Sequence, residues 1–407
     1  MSTSLLYHGF GIRGYRHVRT EYNEGEIIFA VEQDSLDLRC PQCGSLEVIR
    51  RGQVVRRFRT VPIGRRRVMV DLPVQRVECR CCGIVQQVKV AFAQERRTYT
   101  DSFERYALEL CRHMTILDVA RHLGVSWDLI KDIHKRNLHR RFGCPKLTGL
   151  THIAIDEICV GRGYRFLTIV LDLLTGAVVH VGKGRGKEAL TRFWRRLERT
   201  KARQDLLIKA VAIDMSPAYL AAVSENIPDA AVVFDRFHVM KLYNDKLSQL
   251  RSQVHNAAVG LGKKVLTCTR WLLLKNPENL DPSKDEHRRL QEALELNQPL
   301  ATAYYLKEEL RQFWQQANKT AAKRFLTSWL ARAEASGITI LKKIARTLRL
   351  YSFGLIAWYD HAISTGPLEG LNNKIKTMQR NAYGFRDEQY FTLRIYSLHE
   401  TKYALVG

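Results

Sequence analysis

No apolar run in the sequence approaches the roughly 18 to 20 residues that a membrane-spanning helix requires. Its opening stretch, MSTSLLYHGFGIRGYR, also lacks the apolar core of a secretory signal. Both absences argue against a membrane partner and lead to the expectation of a soluble, cytoplasmic chain. Acidic residues are scarce relative to basic ones, 41 against 65, which leaves a net charge of +24 over 407 residues. An excess of that size points to a polyanionic partner, with nucleic acid the first choice. The bases are interleaved with aromatics and folded-looking segments and are not gathered in a disordered tail, so a globular DNA-binding protein of several domains is expected. Nine cysteines are too many to be incidental, and a reducing compartment disfavours disulfides, so those at close spacing read as metal ligands.

Residues 1–100 carry the strongest local signal. Cys40, Pro41, Gln42, Cys43 and Gly44 form one CPxCG knuckle, and Cys79 and Cys82 with Gly83 form a second. Two such pairs place four thiolates around Zn²⁺, and the glycine after each lets the turn aim backbone N–H groups at sulfur. Cys81 is a spare that could substitute for a neighbour. The 35 residues between the knuckles alternate apolar and basic positions, which suggests a ribbon of strands. Between Arg50 and Arg67 lie eight arginines in 18 residues with no acid. Arg56, Arg57, Arg65 and Arg66 are therefore candidate phosphate contacts, since the guanidinium fork matches phosphate oxygens.

Residues 101–147 read as a helix-turn-helix. Asp101 or Ser102 is positioned to cap a first helix, and Ala120 and Gly124 mark a close crossing and a turn. Val119, Leu123, Val125, Ile130 and Ile133 fall at buried positions. Ser126 caps a second helix that exposes Trp127, Asp128, Lys131 and Asp132 and would enter the major groove. An ordinary helical hairpin is the competing account. The following basic stretch, with Lys135, Arg136, His139, Arg140 and Arg141, reads as a phosphate-tracking linker.

The chemistry is expected farther on, in residues 148–240. A β-branched, apolar run from Thr151 to Val160 carries Asp156 in its middle, and a similar run from Leu206 to Ser216 carries Asp214 near its end. Burying a lone carboxylate is costly, so two acids on strands suggest a shared cationic partner. Taken alone, Asp214 is more simply a turn former. Strands at 152–160, 164–172 and 177–182, a helix at 187–202, a strand at 206–213, a helix at 217–225 and a strand at 230–235 give the order of a ribonuclease H-like mixed sheet. Turns are expected at Gly161, Arg162 and Gly163 and at Leu174, Thr175 and Gly176. That topology sets the first strand beside the fourth and brings Asp156 close to Asp214. Asp235 and His238 at the end of the last strand are possible auxiliary groups.

Residues 241–350 turn helical and form an insertion, with Pro277, Pro282 and Pro299 as breaks and Trp271, Trp314 and Trp329 read mainly as core. Residues 351–407 close the catalytic domain. There Pro367 opens a helix whose first turn holds Glu369, and Lys374, Lys376 and Arg380 follow as candidate DNA contacts. Two aspartates and a glutamate make an oxygen site suited to Mg²⁺ or Mn²⁺.

The succession CPxCG, CxxCG, helix-turn-helix, AIDE, AIDMS, FDRFH and GPLEGLNNKIK resembles that of insertion-sequence transposases of the ISL-three (ISL3) family, members of the DDE superfamily. The resemblance covers nearly the whole chain. It implies that Asp156, Asp214 and Glu369 form the catalytic and metal-binding triad, and that the N-terminal modules bind terminal inverted repeats in double-stranded DNA. It further implies metal-dependent cleavage and strand transfer to target DNA, at least a dimer on DNA, and a nucleoid location. The rival readings are a catalytically dead, transposase-derived regulator and a metal-dependent nuclease that cuts without joining.

Overall fold

The computed structural model describes residues 4–33, 38–161, 165–202, 207–259, 264–267 and 269–400. The chain separates into two compact units, one built from residues up to Gly143 with Thr377–Leu393, the other from Cys144–Lys376 with Arg394–Glu400.

In the first unit a short helix, α1 (Leu5–Phe10), precedes β1 (Tyr15–Asn23), β2 (Glu26–Gln33), β3 (Val48–Ile63), β4 (Arg66–Cys79) and β5 (Val85–Gln87). They form one sheet in the order β1-β2-β4-β3, with β5 on the other stretch of β4. The ribbon expected from the alternating pattern is the β3–β4 hairpin, registered through Val54 opposite Val74 and Phe58 opposite Val70. Val68, Val70, Leu72 and Val74 are buried at every second position of β4, as a period of two demands for a sheet with one covered face. They pack with Phe10, Phe29, Phe58 and Phe92 into a core of their own. So the zinc-binding segment is the tip of a larger sheet.

Three helices follow: α2 (Asp101–Leu110), α3 (Ile116–Leu123) and α4 (Trp127–Phe142). The cap of α2 is Thr100, whose hydroxyl accepts the Phe103 N–H, and not Asp101 or Ser102, which already lie inside the helix. Gly124 ends α3 at φ 60°, a left-handed conformation that favours glycine, and Ser126 caps α4 through the Leu129 N–H. Val119, Leu123, Ile130 and Ile133 are buried as expected. The stretch from Lys135 to Arg141 is no linker. It continues α4 to Phe142, because His134, Leu138 and Phe142 keep the apolar stripe running at helical spacing.

The second unit begins with β6 (His152–Gly161), β7 (Arg165–Asp172) and β8 (Val178–Lys183), followed by a 3₁₀ turn and α5 (Thr191–Lys201), then β9 (Ala210–Ile213), α6 (Pro217–Asn226) and β10 (Ala231–Phe234). The sheet order is β10-β9-β6-β7-β8, with β6–β7 and β7–β8 antiparallel and β6–β9 and β9–β10 parallel. This is the ribonuclease H-like arrangement expected. The fourth strand is shorter than the sequence suggested, and Leu206 lies outside the described residues, as do Arg162 and Gly163 of the first turn.

Beyond it come α7 (Arg236–Ala257), α8 (Arg270–Leu274), α9 (Glu286–Glu295), α10 (Gln298–Arg311), α11 (Lys319–Ala335), α12 (Thr339–Leu350), α13 (Ser352–Ile356), α14 (Gly366–Asn381) and α15 (Glu388–Ser397). The helical block shares one apolar core with the sheet: Ile153, Val211 and Ile213 belong to the same cluster as Leu247, Ala303, Trp329 and Leu341. Trp314 and Trp329 are buried, but Trp271 is 66% exposed and stacks under Arg270, so it is not a core residue.

Candidate active site and zinc centre

At the tip of the ribbon the Sγ atoms of Cys40, Cys43, Cys79 and Cys82 all lie within 4.8 Å of one another. Cys40 to Cys82 is 3.6 Å and Cys43 to Cys79 is 3.5 Å. A tetrahedron of thiolates around Zn²⁺ has edges of roughly 3.8 Å, so the cage fits that ion. Gly44 and Gly83 sit at φ 79° and 68°, which closes each knuckle. The N–H of Cys43 pulls the Cys40 thiol down to about 6, and that of Cys82 lowers Cys79. Against the Ser45 N–H the Cys79 sulfur pushes Cys43 up to about 12, and against the Ile84 N–H burial and the Cys40 sulfur raise Cys82. Without an ion, therefore, only Cys40 and Cys79 are shifted toward the thiolate form. Cys81 stands outside the cage, with its sulfur 3.2 Å from the Ser45 hydroxyl.

The second candidate site is built on the sheet. Ala154 of β6 lies opposite Ala212 of β9, so two residues farther along these parallel strands come Asp156 and Asp214. Both carboxyls are held above the usual carboxylate range, chiefly by burial, and Asp214 raises Asp156 further. Compensation is partial. The Glu157 N–H reaches Asp156 Oδ1 at 2.7 Å, and the Ser216 N–H reaches Asp214 Oδ1 at 3.1 Å. Glu157, the next residue on β6, is also pushed up by burial and by Asp214, and its carboxylate accepts from Tyr219 at 3.4 Å.

Pro367 falls in the first turn of α14 as expected, and the Glu369 N–H bonds the Thr365 carbonyl. Glu369 is exposed. The side chain of α14 that touches the sheet site is Asn372, whose Nδ2 donates to Asp156 Oδ2 at 3.2 Å. Residues three apart share a helix face, so Glu369 occupies the same face one turn earlier. Among the described residues the cysteine cage is the sole group of three or more ligand-type side chains with all donor atoms within 4.8 Å, so the three acids are not drawn up to that spacing. The donors nonetheless suit a hard cation. Two desolvated carboxylates lie side by side, and Asn372 Oδ1 is buried without a partner next to them.

Asp235 and His238 complete the neighbourhood. Asp235 ends the loop after β10 and is 4% exposed, and His238 Nδ1 lies 3.3 Å from its Oδ2. Burial opposes ionisation of Asp235, yet His238 and Thr365 hold it below the usual range. The adjacent Asp235 carboxylate, against the effect of burial, raises His238, and Asp156 and Asp214 add to the rise. The sequence did not single out Asn372 as the partner of Asp156; its place three residues after Glu369 was the available signal.

The candidate DNA contacts divide into free and engaged groups. Arg65 and Arg66 are exposed at the β3–β4 turn, Trp127 is 44% exposed at the start of α4, and Lys374, Lys376 and Arg380 are exposed on α14. Arg57 instead forks onto Asp71 at 2.7 and 2.8 Å, and Arg56 donates to the Arg97 carbonyl. Lys131 and Lys135 both reach Asp387, at 3.3 and 2.8 Å, and Arg136 bonds Tyr99 and Glu104. All of these partners lie within the first unit, so the five side chains are engaged internally. No helix among the described residues is long and apolar enough to cross a membrane.

Comparison with known proteins adds the following. Residues 153–395 match a family profile described as transposase. Residues 88–136 match the helix-turn-helix domain of transposase family ISL3, and residues 38–82 the zinc finger of transposases IS204/IS1001/IS1096/IS1165. The transposase for insertion sequence element IS1001 of Bordetella parapertussis is 32% identical over 397 residues, 95% of each chain. The transposase for IS1557 of Mycobacterium tuberculosis is 27% identical over 378 residues, 86% of this chain and 83% of that protein. A solved Drosophila P element transposase strand transfer complex aligns at a TM-score of 0.34 and 12% identity, covering 62% of this chain and 78% of that one, too loosely to carry a conclusion.

Proposed function

This chain belongs to the ISL3 family of DDE transposases, and from that premise we propose that it cuts and joins DNA at the ends of an insertion sequence with Asp156, Asp214 and Glu369 as its catalytic acids. It is a transposase whose helix-turn-helix binds DNA and whose ribbon binds zinc. The finer assignment is that residues 1–100 and 101–147 hold the terminal inverted repeats, and that 148–240 with 351–407, interrupted by the helical insertion at 241–350, perform the chemistry. What supports the triad is the register of β6 on β9, with Ala154 opposite Ala212 two residues before Asp156 and Asp214, and the hydrogen bond from Asn372, on the helix of Glu369, to Asp156.

Mg²⁺ or Mn²⁺ held by the three acids would activate the attacking oxygen and steady the leaving one. The protein's own groups do the rest. Burial disfavours the carboxylate form of Asp156 and Asp214, a cost that a cation bound between them would offset. His238, whose cationic form is favoured by Asp235 and, to a lesser degree, by Asp156 and Asp214, would add positive charge beside the acids when protonated. Lys374 and Lys376 offer exposed charge to flanking phosphates. The product 3′-hydroxyl then attacks target DNA at the same centre. Two ends must be paired, so a dimer or larger assembly on DNA is part of the proposal, as is action in the cytoplasm at the nucleoid.

The test is a cleavage and strand-transfer assay on end-containing duplex. Asp156→Asn and Glu369→Gln are expected to abolish both steps while end binding persists. Either variant cutting at the normal rate would overturn the triad, and cleavage without joining by the unaltered protein would favour the nuclease reading.

A further inference from the structure

Three cations stand within five residues at the end of β8: Lys183, Arg185 and Lys187, separated by Gly184 and Gly186. All three are exposed, and none takes part in the chemistry described above. Lys187 is 3.9 Å from Glu225, a solvent-open pair that contributes little. Among the described residues no carboxylate comes within 4.0 Å of the Arg185 guanidinium, which lies 5.1 Å from the centre of the Phe166 ring. The segment is not a slack loop. The Gly184 N–H donates to the Phe166 carbonyl at 2.9 Å, and the Gly184 carbonyl accepts the Thr168 hydroxyl at 2.8 Å. Gly182 leaves no room for a Cβ against the Ala189 carbonyl, and Gly184 sits at φ 92°, where a side chain would be strained. The backbone that carries the three cations is thus pinned to β7 and to the 3₁₀ turn at Lys187–Leu190.

The sheet register sets this loop beside the acids. Asp156 lies opposite Ile169 of β7, and Ile169 opposite Val181 of β8, so β8 runs two residues past the level of Asp156. Two strand spacings of ~4.8 Å across and two residues of ~3.4 Å along put the end of β8 roughly 12 Å from Asp156. Side chains bridge the interval. The Thr168 hydroxyl is 3.1 Å from that of Tyr219, which in turn donates to Glu157, the neighbour of Asp156. The Arg185 charge acts on Glu157 as well. One DNA strand carries a phosphate every ~3.4 Å of axis, so the loop stands about three nucleotides from a phosphate held at the acids. We propose that Arg185, flanked by Lys183 and Lys187, grips the DNA backbone there, with its guanidinium fork on a single phosphate. Such a fork matches phosphate oxygens, and the glycines on either side of Arg185 let the DNA backbone come close. A contact of this kind fixes the position of the DNA and does not read its sequence. This inference rests on the transposase reading above.

The experiment uses the full chain and end-containing duplex in which one phosphate at a time around the cut is replaced by an uncharged methylphosphonate. With the unaltered protein, one replacement about two to four nucleotides from the cut should slow cleavage roughly tenfold, the scale of one charge-assisted hydrogen bond. Arg185→Ala, a change at an exposed side chain, should slow cleavage of ordinary DNA by a similar factor and lose its sensitivity at that one position. Arg185→Lys, which keeps the charge, should retain part of that sensitivity. At limiting protein, the salt dependence of cleavage by Arg185→Ala should be shallower by about 0.9 in log–log slope, the value of one phosphate contact. A defect equal at every methylphosphonate position, or one that adding Glu157→Gln restores, makes Arg185 only a neutraliser of Glu157 and overturns the proposal. Normal cleavage by Arg185→Ala overturns it too. In each of these cases the unaltered protein still cuts, so the transposase reading stands. End DNA that the unaltered protein binds and never cuts overturns that reading instead.

Discussion

The cysteine cage of the ribbon and the proposed acid site of the sheet are built in opposite ways. In the zinc ribbon four sulfurs already lie within 4.8 Å of one another, each pair held by its own short turn and a glycine in the left-handed region. In the sheet site the acids come from segments 58 and 155 residues apart in sequence, Asp156 to Asp214 and Asp214 to Glu369, and they are not at ligand spacing. A closed cage suits a structural ion and an open one suits an ion that must also take a substrate oxygen. What is local in sequence is preassembled; what the fold must gather from distant segments is left open.

The largest effect expected from this contrast is on the ribbon. Cys40→Ser or Cys79→Ser should abolish zinc binding, measured by metal analysis of the purified chain, and remove on the order of 10 kcal/mol of binding free energy. Cys81→Ser should keep its zinc, and loss of the ion there would break the cage assignment. The Phe10–Phe58–Phe92 core should persist without zinc, so near-ultraviolet circular dichroism should change only in part.

Next in size are the acids. Asp214→Asn should lower cleavage on the order of 10³-fold or more, about 4 kcal/mol, while zinc content and end binding remain. A parallel loss of zinc would mean that the variant is misfolded and that the two sites are not independent.

A smaller, stability-based test follows. Ionised Asp156 is desolvated beside Asp214, so Asp156→Asn should stabilise the protein without divalent ions by about 1–2 kcal/mol, a few degrees in melting temperature. Mn²⁺ at about 100 times its Kd should stabilise the unaltered protein by about 2.7 kcal/mol and the variant far less. Equal stabilisation of both would remove Asp156 from the ligand set.

The smallest concerns His238. Its raised value means that its contribution to stability is full below 6.5, its unfolded value, and is lost as pH rises through the folded one. Asp235, lowered, contributes above 3.8 and loses that contribution as pH falls. The gap in melting temperature between the unaltered protein and His238→Gln should be widest between these limits and close under alkaline conditions, with a span below about 1 kcal/mol. A gap that does not vary with pH would make the contact merely steric.

The difference between the sites also explains what could be read from the sequence. The CPxCG and CxxCG turns, the Gly124 turn, the Ser126 cap and the run of β-branched residues around Asp156 are short-range signals, and each appears where expected. The sheet order followed from element spacing, and the pairing of β6 with β9 from that order. Long-range side-chain matches were not legible. Nothing near Lys131 or Lys135 announces Asp387 as their shared partner. The helical continuation through Arg141 is masked by its charge, since only two apolar residues, Leu138 and Phe142, with the buried His134, carry the inward-facing stripe there. The larger sheet is not legible because β2 joins it by pairing in parallel with β4, about 40 residues farther along the chain, a match that no local pattern signals.

β9 is four residues long and buried throughout, and its alignment on β6 is set by Ala154 facing Ala212. A single residue inserted between Ala210 and Asp214 would turn the strand's faces over and send that carboxylate to the far side of the sheet. The loops and helices around this strand can absorb changes of length at modest entropic cost, but these few alanines, valine and isoleucine have no such slack. The least chemically distinctive stretch of the chain thus acts as the ruler by which its acids are aligned.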